Sequence, residues 1–127
     1  MELDRFCRVY VGGTERSVAI STILLDMGAT RDGFLFRLGG VEFQVGPNPD
    51  GSDGGDDHLG AFIGDAGFSI EVDASDGSVS IVDMVGSLDR LTKALEDADL
   101  YFACSCDYED QLRSDGRRLP LGRDEGL

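Results

Sequence analysis

Residues 34–45, F-L-F-R-L-G-G-V-E-F-Q-V, constrain the fold more tightly than any other stretch of this sequence. Two alternating runs flank Gly39-Gly40, and a Gly pair suits the two central positions of a tight hairpin turn. With the turn placed there, Leu38 faces Val41, Phe36 faces Phe43 and Phe34 faces Val45, all on one side of the ribbon. On the other side Arg37 meets Glu42, a favourable cross-strand charge pair. Pattern, turn chemistry and charge agree on one register, so an antiparallel sheet is expected.

The remaining elements are read around that hairpin. Residues 5–11, R-F-C-R-V-Y-V, alternate as a strand, with Cys7, Val9 and Val11 on one face and Phe6, Arg8 and Tyr10 on the other. Gly12-Gly13 ends it. Thr14 is an N-cap candidate with Glu15 in the first turn, and Val18, Ala19, Ile20, Ile23, Leu24 and Met27 follow at helical spacing up to a stop at Gly28. Residues 61–73 resume strand character, with Phe68, Ile70 and Val72 pointing one way, and Gly64 and Gly67 marking a bulge or kink. Ile81, Met84, Val85, Leu88, Leu91, Leu95 and Ala98 recur every three or four positions and predict a helix over 79–97, with Asp89 and Lys93 as an i,i+4 pair. Its β-branched start, Val79, Ile81 and Val82, is also compatible with strand. Residues 100–106 form the last strand, with Leu100, Phe102, Cys104 and Cys106 on one face and Tyr101, Ala103 and Ser105 on the other.

The order strand, helix, hairpin, loop, strand, helix, strand implies an α+β fold. The expected form is a ferredoxin-like split βαβ sandwich, an antiparallel sheet with two helices packed on one face. The first and last strands would then be neighbours at the sheet centre, with Cys7, Cys104 and Cys106 beneath the helices. A single domain covers 1–112, including an acidic loop over 47–60. Residues 113–127, with Arg113, Arg117, Arg118 and Arg123, read as a flexible tail, poorly ordered or folded back on the acidic surface. The other sheet face collects Phe6, Arg8, Tyr10, Arg37, Glu42, Gln44, Glu71, Asp73, Tyr101 and Ser105. Aromatics among charges there point to a partner contact, or to a homodimer through the open sheet face.

Charge narrows the partner class. The 127 residues carry a formal net charge of −14, which disfavours bare nucleic acid and anionic membranes and favours a protein with a basic surface. Between Pro47 and Asp76 there are eight acids and no Lys or Arg. The Asp- and Gly-rich loop fails the EF-hand register, because a start at Asn48 puts Asp53 at the glycine position and Leu59 at the glutamate position. Asp107, Glu109 and Asp110 form a second acidic group without a Lys or His beside it, so a binding or structural role is expected over acid–base catalysis. The odd number of cysteines gives no disulfide framework, and a C-x-C pair on a strand reads as core packing. The sole histidine, His58, lies in the acidic loop, away from the cysteines. The Gly pairs make no nucleotide-binding motif, and no cofactor is expected. No apolar run approaches the roughly 20 residues that span a bilayer, and Glu2 and Asp4 follow Met1 without a leader pattern, so a cytoplasmic location is expected.

Residues 104–112, C-S-C-D-Y-E-D-Q-L, resemble the C-terminal A-C-D-F-E-D-E-L-P-like ending of small bacterial proteins, actinobacterial ones especially. Cys106-Asp107-Tyr108-Glu109-Asp110 and Leu112 match that ending, whereas Gln111 and Arg113 depart from it. Asn48-Pro49-Asp50 and the strand leading to Ile70-Glu71-Val72 are also similar. The resemblance implies a ferredoxin-type α+β domain, with some members in toxin–immunity neighbourhoods and no catalytic residues to carry over. The expectation is a non-enzymatic immunity protein that neutralises a toxin by occlusion. Asp50, Asp53, Asp56 and Asp57, with Asp107, Glu109 and Asp110, would engage the toxin's basic surface. A DNA-mimicking inhibitor, a small-ligand regulatory module and a metal-assisted enzyme are the alternatives.

Overall fold

A computed structural model of the chain describes residues 3–51 and 57–120. In chain order the elements are β1 (Cys7–Gly12), α1 (Ser17–Asp26), β2 (Thr30–Asp32), β3 (Leu35–Leu38), β4 (Val41–Pro47), α2 (His58–Asp65), β5 (Phe68–Ala74), α3 (Ile81–Asp97), β6 (Tyr101–Ser105) and β7 (Arg117–Arg118). Two short 3-10 turns, Glu109–Gln111 and Arg113–Gly116, lie between β6 and β7. The protein is α+β. Its strands form one seven-stranded sheet in the order β2-β3-β4-β5-β1-β6-β7, with every adjacent pair antiparallel. Because β1 is antiparallel to both β5 and β6, those two run parallel with β1 between them. β5, α3 and β6 thus make a split crossover.

The hairpin has the expected register, with Leu38 opposite Val41, Phe36 opposite Phe43 and Arg37 opposite Glu42. Phe34 departs from it. The ladder ends at Leu35 opposite Gln44, and Gly33-Phe34 form a second tight turn that joins β3 back to β2, with Asp32 opposite Leu35. Gly33 takes φ +63 there, a left-handed value that glycine adopts without strain. Phe34 is consequently 81% exposed instead of facing Val45.

Both expected helices are present, with shifted starts. α1 begins at Ser17 because Thr14 Oγ1 accepts a hydrogen bond from the Arg16 amide (3.2 Å), forming a turn ahead of the helix and leaving Arg16 as an N-cap without a side-chain bond. α3 opens with a capping box, in which the Asp83 amide donates to Ser80 Oγ and the Ser80 amide to Asp83 Oδ2, each at 3.1 Å. That cap resolves residues 79–85 in favour of helix from Ile81 onward. Lys93 pairs with Asp97 (2.9 Å) and not with Asp89, whose carboxylate instead accepts from the Arg113 amide (2.9 Å).

Two further expectations are overturned. Residues 61–65 are helix, not strand, and Gly67 joins α2 to β5 instead of forming a bulge. Leu59, Phe62 and Ile63 supply an i, i+3, i+4 apolar edge that packs on the sheet. In addition, β6 is not central: β5 holds the middle of the sheet, and β7 lies outside β6.

α1 and α3 cover one face of the sheet. Ile20, Leu24, Met84, Leu88, Leu91 and Leu95 pack there against Val9, Val11, Phe43, Ile70, Val72 and Phe102, all fully buried. At about 1.5–3 kcal/mol per fully buried side chain, this cluster is the main source of stability. α2 packs on the opposite face, with Phe62 and Ala66 against Tyr10 and Ala103. Residues 113–120 are held against the body. Arg113 bonds Glu96 (3.3 Å), while Arg118 bonds Asp99 (3.0 Å) and the Leu100 carbonyl (2.7 Å) and lies 4.8 Å from the Tyr101 ring centroid. Among the described residues no helix is long and apolar enough to cross a membrane.

Candidate functional site

The candidate surface begins on the α2 side of the sheet, where odd and even positions of each strand separate core from surface. Asn48 organises its upper edge. Its side-chain oxygen accepts from the Asp50 amide (2.8 Å), and its amide nitrogen donates to the carbonyls of Ile63 (2.7 Å) and Ala66 (2.8 Å), fastening the loop start to the end of α2. Asp50 is thereby held over β1. Its Oδ2 accepts from the Tyr10 hydroxyl (2.5 Å) and lies 3.4 Å from Arg8 Nη1, while Arg8 Nη2 pairs with Glu71 at 2.9 Å. Arg8 and Glu71 are direct cross-strand neighbours. The bond to Glu71 raises the Arg8 guanidinium above its usual range, and burial, then the bond to Asp50, raises the Tyr10 phenol. Asp50 thus shares the single positive charge of Arg8 with Glu71.

The other expected site residues divide between structural work and surface. Asp57 caps α2, its Oδ1 accepting from the Gly60 amide at 2.7 Å. Asp53 and Asp56 lie outside the described residues. In the C-terminal motif, buried Tyr108 donates its hydroxyl to the Arg5 carbonyl (2.7 Å), and Leu112 is buried beside it. Asp107 Oδ2 accepts from the Asp4 amide (2.9 Å) and Glu109 Oε2 from the Cys106 amide (3.4 Å), while Asp110 is exposed in the 3-10 turn. The motif therefore clamps the N-terminal segment to the end of β6, and its first two acids hold backbone amides.

That clamp also assembles an acidic cleft. Asp107 is joined by Asp4, Asp73 and Asp76 around an open depression of about 510 Å³, which Leu3 and Arg5 also line. A second groove of about 380 Å³ shares Asp4 and Asp107 and runs past Phe6 and Arg8 to Glu109. The Ser78 hydroxyl, and then its amide, lower the Asp76 carboxyl below the usual range and keep it ionised. Asp4 Oδ1 accepts from the Phe6 amide (3.0 Å) and Asp73 Oδ1 from the Ala74 amide (2.8 Å). Asp4, Asp73 and Asp76 were not among the expected site residues. The alternation marks Asp73 as surface, but only the order β5-β1-β6 brings it beside Asp4 and Asp107.

A rim of this kind suits the ammonium or guanidinium groups of a partner, by charge and by acceptor-only chemistry. Among the described residues no group of three or more His, Cys, Asp and Glu side chains could hold a metal ion. His58 Nε2 hydrogen-bonds the Pro120 carbonyl at 2.6 Å. The three thiols are free, with Cys7 and Cys104 buried under the helices. The neighbouring Cys104 thiol and burial push Cys7 up, and the Cys7 thiol and burial push Cys106 up, so both stay protonated and poorly nucleophilic.

Fold and cleft together define an acidic α+β domain with one helix-covered sheet face and one half-open, carboxylate-rimmed face. Comparison with family models, curated proteins and solved structures finds no match for this chain.

Proposed function

We propose that this is a non-enzymatic binding protein that covers a basic surface of another protein. One observation carries the reading: Asp4, the Asp73–Asp76 stretch and Asp107, from three separate parts of the chain, converge on one open cleft. Carboxylates gathered from distant segments make a focused negative field, which steers a basic partner and fixes its orientation. The resemblance of residues 106–112 to proteins in toxin–immunity neighbourhoods makes a toxin the partner class, and occlusion of its basic active surface the mechanism. The split crossover supports a ferredoxin-like reading of the fold at one of its two βα units. Three free thiols support a cytoplasmic setting.

The test is calorimetric titration against the product of the adjacent gene. The triple variant Asp73→Asn/Asp76→Asn/Asp107→Asn removes charge and keeps an oxygen acceptor at each position. It should bind at least roughly tenfold more weakly, and wild-type binding should fall steeply with added salt. Equal affinity of variant and wild type would reject the cleft as the contact.

A further inference from the structure

α1 breaks the pattern expected of a helix on the surface of so charged a chain. From Ser17 to Leu25 it has nine residues without a charge. Val18 and Leu25, two turns apart on its outer side, are 51% and 46% exposed, and the exposed Phe34 adjoins Ser17 and Ser21 in a groove at its flank. Between Val18 and Leu25 stands Thr22, whose hydroxyl donates to the Val18 carbonyl at 2.9 Å. That bond lets the whole stripe be covered without leaving a hydroxyl unsatisfied.

The ends of α1 are also placed against its own dipole. Arg16 occupies the N-cap, where the helix carries partial positive charge, and no side chain caps the first turn. Asp26 is the last helical residue, where the partial charge is negative, and no basic residue occupies the last turn. Both side chains are exposed, and neither makes an ion pair among the described residues.

We propose that α1 is the contact between two copies of this chain, packed antiparallel about a two-fold axis near Thr22. In that arrangement Val18 of each copy meets Leu25 of the other. Asp26 of one copy lies against Ser17 and Arg16 of its mate, where it pairs with a guanidinium and accepts from first-turn amides that lack a cap. Each charge that opposes its own helix dipole then complements the dipole of the other copy. A second copy is the occupant because the pattern is self-complementary end to end. A chain of net charge −14 repels its copies elsewhere, so an uncharged stripe is where they can meet. This contact shares no residue with the acidic cleft.

Sedimentation velocity on the full chain, over a concentration series reaching millimolar, tests the proposal. Wild type should show a reversible monomer–dimer equilibrium that strengthens as salt screens the net repulsion. Arg16→Asp and Asp26→Arg should each weaken the dimer by roughly tenfold. Each also improves the match of α1 to its own dipole, so thermal stability of the monomer should hold or rise, separating lost contact from lost fold. The double variant Arg16→Asp/Asp26→Arg should dimerise more tightly than either single variant. A wild type that is monomeric throughout, single variants without effect, or a double variant as weak as the singles would each overturn it.

Discussion

Tyr108 shows how much of the C-terminal motif is explained by packing. It is fully buried, and its hydroxyl holds the Arg5 carbonyl, pinning residues before β1 to residues after β6. Tyr108→Phe should cost about 1 kcal/mol, the net worth of one such bond. Burial also pushes the Tyr108 phenol up, because a phenolate is poorly solvated there. A folded value above the unfolded one, about 10 for tyrosine, means stability that is fully present below that pH and lost as pH rises through it. The loss should approach about 1.4 kcal/mol per pH unit for this one group. Urea unfolding at a series of alkaline pH values should show this slope in wild type and a shallower one in Tyr108→Phe. An unchanged slope would mean that the phenol ionises as readily folded as unfolded. Cys7 and Cys106 shift in the same direction and begin the alkaline decline at lower pH.

At the scale of elements, α2 and α3 differ in how firmly they are tied to the rest. α3 contributes Met84, Leu88, Leu91 and Leu95 to the main core, whereas α2 buries Phe62 in a small cluster and is held otherwise by Asp57, Asn48 and His58. Losing the cap in Asp57→Ala, worth about 1 kcal/mol, should therefore speed amide exchange mainly in residues 58–66. Losing the Ser80 cap in Ser80→Ala should instead lower global stability by a similar amount, about 1 kcal/mol. Equal, global effects from both would show that α2 unfolds only with the whole domain. The same contrast explains what sequence reading reaches. α3 was legible from its apolar spacing, and the hairpin from Gly39-Gly40 and its alternation. In α2, Gly60 and Gly64 interrupt the run and disguise the Leu59, Phe62, Ile63 edge. β2 is Thr-Arg-Asp and wholly exposed, so it carries no hydrophobic signal, and only the turn at Gly33 brings it into the sheet. The acids of the cleft were visible as acids. Which of them meet was not, because strand order is a long-range property that alternation within a strand does not encode.

For the whole molecule, the net charge acts in opposite senses on three measurable quantities. Folding concentrates like charge, so melting temperature should rise as salt increases from about 0.01 M to 0.15 M, over which the screening length shrinks from about 30 to 8 Å. Dimerisation through α1 should strengthen over the same range, and binding of a basic partner at the cleft should weaken. A melting temperature that falls with salt would show that ion pairs such as Arg8–Glu71 and Arg37–Glu42 outweigh the repulsion.

The two margins of the sheet bear on a different hazard. One ends in three residues, Thr30–Asp32, and the other in two, Arg117–Arg118, and each margin carries arginine. A long bare edge is a template on which strands of neighbouring molecules can zip into fibrils, and short charged edges remove the template. Crowding this protein to high concentration should therefore favour discrete pairs over endless ribbons, since growth by strand addition has almost nowhere to start.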